Sequence, residues 1–200
     1  AGCEVLKQGG SAVDAAVAVQ AVLGLVEPQS SGLGGGAFML HYDAASGGVV
    51  AYDGRETAPA AATENYLRWV SDTDRTAPQP GGARASGRSI GTPGAVRMLE
   101  LAHKAHGRQP WSQLFDPAIA LATDGFQISG RMAQAIEGGA TGLKRDPEAT
   151  AYFFNADGTP KALGTLLKNP AYATTLNTLA RGGANAFYTG PVAQGIVDKI

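Results

Sequence analysis

Two short apolar strands joined by a glycine-containing turn constrain the fold of this chain more than any other feature. Residues 37–42 and 49–52 are strand-like, and a turn at residues 46–48 separates them, which is the pattern of a β-hairpin. The first strand is apolar on both faces, and such a strand has to be covered on both sides. Because a two-stranded sheet is not stable alone, we expect the hairpin to join a larger sheet built partly by residues after Ile200.

Helical patterns account for most of the remaining chain. Residues 2–9 are typical of a short helix, and Ser11 with Asp14 forms a capping box before a helix over residues 12–25. That helix is apolar on nearly every side, so we expect it to be buried. Further helices are predicted at residues 95–106, 111–123, 129–137, 170–181 and 191–200. The order of elements predicts the α+β class, with one β-hairpin and many helices in this segment.

Charge and hydropathy exclude several kinds of partner. The formal net charge is −1, and the densest basic stretch has no interleaved aromatic residues, so no nucleic-acid partner is expected. No apolar run approaches the roughly 18 residues of a membrane helix, so no membrane span is expected in this segment. Cys3 is the single cysteine, which we expect to be a small buried hydrophobe. Residues 71–92 lack periodicity and are predicted to form an exposed loop.

A glycine-rich segment at residues 31–36 matches a nucleotide-binding pattern in spacing but not in context. Gly32-x-Gly34-x-x-Ala37 fits G-x-G-x-x-G/A, which requires a strand before it and a helix after it. Here a helix comes before and a strand follows. We therefore interpret the segment as structural, because glycines let a strand enter a crowded junction.

Neither the histidines nor the candidate nucleophiles indicate a metal or catalytic site in the sequence. His103 and His106 are three residues apart on a predicted helix, but they and His41 lack further ligands, so a solvated pair is expected. No metal and no cofactor is predicted. A nucleophile elbow, in which the serine of a G-x-S-x-G pattern lies between a strand and a helix, is not predicted.

Several motifs, in order along the chain, resemble one enzyme family. The heptapeptide Asp53-Gly54-Arg55-Glu56-Thr57-Ala58-Pro59 is the most specific of them. The others are GGSAVDAA at 9–16, VEP at 26–28, SGLGGGAFML at 31–40, GTPG at 91–94, GxxPWxxL at 107–114, PAIxLA at 117–122 and GAxAFYxG at 183–190. Together they are similar to the large-subunit half of the γ-glutamyltransferases (γ-glutamyltranspeptidases), and the similarity spans nearly all 200 residues.

The resemblance implies a fold, an activity and a partner. Such enzymes are N-terminal-nucleophile (Ntn) hydrolases with a four-layer αββα core, and their precursor cuts itself into a large and a small subunit. Residues 1–200 would be the N-terminal part of the large subunit, an incomplete domain. The nucleophile would be the N-terminal threonine of the small subunit, outside this segment. It takes the γ-glutamyl group from glutathione or a related amide and passes it to water, an amino acid or a peptide. The implied location is periplasmic or secreted.

The resemblance also implies a substrate-binding role for Arg55 and places no catalytic residue in this segment. In the family this arginine binds the α-carboxylate of the glutamyl donor, and a guanidinium presents a planar fork that matches a carboxylate. Asp53 and Glu56 flank Arg55 and would orient its guanidinium rather than contact the donor directly. The alternative for Glu56 is recognition of the donor's amino group, although in the family most of that contact comes from the small subunit. The alternative for Arg55 is a purely structural ion pair with one of these carboxylates.

Two other functions remain open at the level of sequence. A cephalosporin or glutaryl acylase of the same superfamily would use the same threonine chemistry with a different acyl pocket, although an intact Arg55 favours a glutamyl donor. A non-catalytic helical assembly module is the other alternative. An isolated module of that kind would expose the flat apolar hairpin and tend to associate.

Overall fold

A computed structural model of the chain describes residues 1–78, 82–83 and 86–200. Its helices are α1 (Gly2–Lys7), α2 (Ala12–Val26), α3 (Ala95–His106), α4 (Asp116–Asp124), α5 (Gly130–Gly138), α6 (Ala140–Leu143), α7 (Pro147–Phe153), α8 (Pro170–Gly182), α9 (Asn185–Tyr188) and α10 (Gly190–Lys199). Its strands are β1 (Ala37–Asp43), β2 (Gly48–Gly54), β3 (Phe126–Gln127) and β4 (Leu166–Leu167). The chain divides into two compact units, one formed by residues 1–32 and 107–181 and the other by residues 33–106 and 182–200.

In the first unit, the start of α2 is fixed by the predicted capping box. Asp14 N donates to Ser11 Oγ at 3.1 Å, and Ser11 N donates to Asp14 Oδ2 at 2.8 Å. The same buried carboxylate oxygen accepts from the N–H groups of Arg108 and Gln109 at 2.9 and 3.2 Å. Asp14 therefore joins the start of α2 to the chain before α4. The helix is not buried on every side as predicted, because Val19 is exposed.

One buried apolar cluster of the first unit lies where α2, α4, α5 and α8 meet the short β3–β4 pair. Its buried members are Leu25, Ala122, Phe126, Ile128, Met132, Ile136, Phe154, Leu167 and Ala173. Strands β3 and β4 are antiparallel, with Phe126 opposite Leu167. Gly125 ends α4 with a φ of 108°, a left-handed conformation that glycine adopts at little cost.

The second unit is built on the β1–β2 hairpin. Its strands are antiparallel, with Ala37 opposite Gly54 and Met39 opposite Tyr52, and α3 packs against it. On the other face Phe38, Leu40 and Tyr42 are 67, 76 and 64 % exposed, so the described residues leave that face open. The hairpin itself and the α+β class are thus confirmed, whereas the described residues cover the hairpin on one face only.

A buried carboxylate ties α9 to α3 in the second unit. Glu100 accepts from Lys104 Nζ at 2.9 Å, from Arg97 Nη1 at 3.0 Å and from Ala184 N at 2.8 Å. Burial, the largest single influence, acts to raise the pKa of Glu100, but these donors together hold it below its ordinary value. Arg97 Nη2 also donates to Asn185 Oδ1 at 2.6 Å, so the short helix is held by charged contacts.

Three predictions need correction or completion. Cys3 is exposed, since α1 turns it away from the buried Val5 side of the helix. The helix predicted at residues 111–123 is a 3₁₀ turn (Trp111–Phe115) followed by α4, whose second residue is a proline that favours a helix start. In the loop predicted at residues 71–92, positions 79–81 and 84–85 lie outside the described residues, and Gly87–Ser89 forms a 3₁₀ turn.

Neither a membrane-spanning helix nor a metal-binding cluster is found in the part of the chain that the structure describes. None of its helices combines the length and apolar character needed to cross a membrane. The same residues contain no group of three or more His, Cys, Asp or Glu side chains placed to hold a metal ion.

Candidate functional site

Arg55 follows directly from the end of β2, which is packed tightly in the second unit. A Cβ added at the buried Gly54 would lie 2.7 Å from Met98 Cβ and 3.0 Å from Ala37 O, so only glycine fits there without a shift. The strand end is therefore held against α3 and β1. Arg55 N then donates to Asp53 Oδ1 at 2.8 Å, which turns the chain out of the sheet.

The side chain of Arg55 is 73 % exposed. Its Nε lies 3.8 Å from Glu56 Oε2, a loose ion pair, and its Nη1 and Nη2 atoms have no protein partner among the described residues. Arg55 lines a polar cleft of about 440 Å³ together with Gly34, Glu56, Thr57, Ala58, Ser89, Ile90 and Gly91. The guanidinium is thus presented to a cleft with its two-pronged end available, which argues against the purely structural ion pair.

Glu56 is the anchor that connects the cleft to the glycine-rich segment. Its Oε1 accepts from Gly36 N at 2.7 Å. A Cβ at Gly36 would collide with this carboxylate and would lie 2.8 Å from Gly54 O, so the close approach requires glycine. Glu56 therefore fixes backbone geometry beside Arg55.

The glycine-rich segment also meets the start of α3. Gly35 O accepts from Gly94 N at 3.2 Å and from Ala95 N at 3.1 Å, which satisfies N–H groups at the N-terminus of that helix. The segment contacts protein backbone on both sides. Its interpretation as a structural element is supported by these contacts, which a nucleotide phosphate would have to displace.

The cleft wall facing Arg55 is held by a short backbone bridge. Thr92 N donates to Thr57 O at 2.8 Å, and Thr57 N donates to Thr92 O at 3.3 Å. A Cβ at Gly91 would lie 2.8 Å from Glu56 Cβ, so the two walls meet at close range. Among the described residues, the cleft offers the Arg55 guanidinium, the anchored Glu56 carboxylate and backbone groups, and the guanidinium suits binding of a carboxylate.

Comparison with known proteins identifies the family. The profile of the family described as Gamma-glutamyltranspeptidase matches residues 1–200. The chain belongs to this family. It is 40 % identical over 199 residues to Glutathione hydrolase 2 of Arabidopsis thaliana and 37 % identical over 202 residues to the Glutathione hydrolase 5 proenzyme of Mus musculus. These matches cover all of this chain but 32 and 34 % of those relatives, so the chain spans about a third of their length.

Solved structures place this γ-glutamyltranspeptidase segment in the same fold. The Helicobacter pylori γ-glutamyltranspeptidase matches 99 % of the chain with a TM-score of 0.89 at 35 % identity, and 55 % of that structure is covered. A cephalosporin acylase from Bacillus halodurans matches 99 % of the chain with a TM-score of 0.79 at 24 % identity, with 37 % of that structure covered. The second match shows a shared fold, and the first agrees with the predicted Ntn-hydrolase segment.

The structure brings the three predicted site residues of this family member together at one strand end. Asp53 holds the backbone of Arg55, and Glu56 lies beside its guanidinium. The cleft wall formed by residues 89–91 was not predicted from the sequence, although residue 91 begins the GTPG motif at 91–94. Nothing in the local pattern indicated that this wall faces Arg55.

The histidines form a pair different from the one expected. His106 stacks on His41 with ring centroids 3.7 Å apart and 9° between planes, and its Nε2 is 2.8 Å from Tyr52 Oη. The prediction of a solvated His103–His106 pair is therefore wrong. These rings join α3 to the hairpin, because His41 and Tyr52 belong to β1 and β2.

Proposed function

We propose that this chain is the N-terminal part of the large subunit of an enzyme that removes the γ-glutamyl group from glutathione or a related γ-glutamyl amide. The group would pass to water, an amino acid or a peptide. The observation that carries the proposal is Arg55, presented at the mouth of a polar cleft with Nη1 and Nη2 open to a ligand. The names of the relatives, glutathione hydrolases and γ-glutamyltranspeptidases, support the same chemistry.

In the proposed reaction, Arg55 binds the α-carboxylate of the donor through two parallel N–H···O bonds. The role of Asp53 is to hold the Arg55 backbone, and the role of Glu56 is to steady the Nε side of the guanidinium while it fixes Gly36. Both carboxylates act on the geometry of the clamp, because a direct approach of either to the donor carboxylate would be repulsive.

The nucleophile in this proposal is a threonine of the small subunit, outside residues 1–200. Its hydroxyl oxygen adds to the γ-carbonyl carbon while its own α-amine takes the proton. The C–N bond then breaks, the amine product leaves with that proton, and an ester-linked γ-glutamyl enzyme remains. Water or an acceptor amine attacks the ester and regenerates the threonine. We further propose that self-cleavage of a precursor exposes this threonine and that the enzyme acts in the periplasm or outside the cell.

The full-length precursor tests the proposal through release of 4-nitroaniline from γ-glutamyl-p-nitroanilide, followed by absorbance. We expect turnover after self-cleavage, and greater turnover when an acceptor dipeptide is added. Glutaryl-p-nitroanilide serves as the comparison, since it lacks the α-amino group. Absence of turnover with the γ-glutamyl donor would refute the proposal, and faster turnover of the glutaryl donor would point to the acylase alternative.

A further inference from the structure

The cleft wall that faces Arg55 is continuous with an arginine outside the cleft. Ser89, Ile90 and Gly91 line the cleft, and Arg88 precedes them without lining it. The Arg88 guanidinium instead donates Nη1 to Tyr66 O and Trp69 O at 3.0 and 2.9 Å.

A third bond and a ring contact complete the environment of Arg88. Its Nη2 donates to Val70 O at 2.8 Å, and its guanidinium carbon lies 5.1 Å from the centre of the Tyr66 ring. One side chain therefore holds three carbonyl groups of the segment at residues 66–70, which has neither helix nor extended strand. The planar guanidinium suits this task, because it directs several N–H donors in fixed directions.

The wall is thus held at both ends by different means. The Thr57–Thr92 bridge holds its C-terminal end, and the Arg88 side chain holds its N-terminal end. Loss of the bridge would require a change in backbone pairing, whereas loss of the Arg88 contacts requires only a change of side chain. The N-terminal end of the wall is therefore anchored by a residue that does not itself line the cleft.

We infer that Arg88 is a positioning residue for the donor carboxylate: it sets the wall at residues 89–91 against Arg55. This inference rests on the proposed γ-glutamyl transfer function. Arg88 would act through the wall, so its removal should weaken binding of a donor that carries the α-carboxylate. A donor without that carboxylate does not use the Arg55 clamp and should be affected little.

Kinetics of the full-length enzyme test this inference with two donors, γ-glutamyl-p-nitroanilide and 4-aminobutyryl-p-nitroanilide, which lacks the α-carboxylate. Arg88→Ala should raise KM for the first donor about tenfold, with kcat and the second donor changed less than about threefold. Arg88→Lys should fall between wild type and Arg88→Ala, because an ammonium keeps the charge but not the fork. A KM for the γ-glutamyl donor that stays at the wild-type value in both variants would overturn the inference.

A matched control separates positioning from general disturbance of the same segment. The Arg75 guanidinium lies 4.8 Å from the centre of the Trp69 ring, and Arg75 does not line the cleft, so Arg75→Ala should leave KM unchanged. Equal effects of Arg75→Ala and Arg88→Ala would overturn the inference. If Arg88→Ala fails to fold, the Arg88→Lys comparison decides. A wild-type enzyme inactive with both donors would refute the proposed function itself, which is a distinct result.

Discussion

Replacement of Arg55 by alanine should separate donor binding from folding. In the structure the side chain is 73 % exposed, and its one ion pair, with Glu56, has atoms 3.8 Å apart. Exposed ion pairs of this kind contribute about 0–1 kcal/mol to the free energy of unfolding. The free energy of unfolding of the variant should therefore lie within about 0.5 kcal/mol of the wild-type value, as is usual for surface substitutions.

The expected effect on activity is much larger. A hydrogen bond to a charged group contributes about 1.5–3 kcal/mol, and in the proposed complex the Arg55 fork would make two such bonds to the donor carboxylate. Because the cleft is open to water, we reduce their sum to about 2–4 kcal/mol. At about 1.36 kcal/mol for each tenfold change, kcat/KM should fall by about 30- to 900-fold. Most of this should be in KM, since the α-carboxylate is the same in the ground and transition states.

The assay pairs each enzyme variant with donors that do and do not carry the carboxylate. Arg55→Ala should lose activity toward γ-glutamyl-p-nitroanilide but change less than about threefold toward 4-aminobutyryl-p-nitroanilide, and the difference gives the coupling energy. Arg55→Lys should recover part of the loss. Arg145 is an exposed arginine of the first unit, so Arg145→Ala is the control and should match the wild type. An equal decline with both donors would show that Arg55 does not bind the carboxylate.

Three further outcomes follow from packing and charge, each measured by urea unfolding of the full-length enzyme. Burial, the largest influence, acts to raise the pKa of Asp14, but the N–H donors around its carboxylate lower the pKa overall. The ionised carboxylate therefore stabilises the fold above pH about 4, and this stabilisation is lost as pH falls below that value. Asp14→Asn should lower the free energy of unfolding by about 2 kcal/mol at pH 7, and a pH profile of stability that is unchanged in the variant would contradict this. In Gly94→Ala the added Cβ would collide with Gly54 O, so the free energy of unfolding should fall by about 1–3 kcal/mol. In Gly34→Ala the added Cβ meets no atom within 4 Å, so stability should be unchanged. Equal losses of stability in the two variants would reject the packing argument. Leu176→Ala removes a fully buried side chain and should cost about 2–5 kcal/mol of unfolding free energy, and a loss under 1 kcal/mol would contradict the cavity argument.

Elements with strong local signals were predictable from the sequence. The capping box of α2 and the glycine turn of the hairpin specify their neighbours within a few residues, and both appear where expected. Strands β3 and β4 have two residues each and pair across about 40 residues of chain. Such short segments carry no periodicity, so only the packed structure reveals them.

Part of the candidate site was likewise predictable from the sequence, and part of it was not. Arg55, Asp53 and Glu56 are adjacent in sequence and belong to a specific motif, so their grouping was predictable. Arg88 was not, because its partners are carbonyl groups 18 to 22 residues away and carbonyls are common to every residue type. Contacts of a side chain with distant backbone leave no pattern for sequence reasoning to detect.

Glycines explain why an exposed guanidinium can still be well placed. At positions 36, 91 and 94 an added Cβ would strike Glu56 or the backbone of residues 54–57, so these glycines let three chain segments approach within van der Waals contact. The backbone around Arg55 is thereby fixed before any donor arrives, and little ordering remains for its main chain on binding. The Arg55 side chain is 73 % exposed, and ordering it on binding is the entropy cost that the proposed donor carboxylate would have to offset. It follows that Gly94→Ala should lower donor affinity even at urea concentrations where the variant remains fully folded.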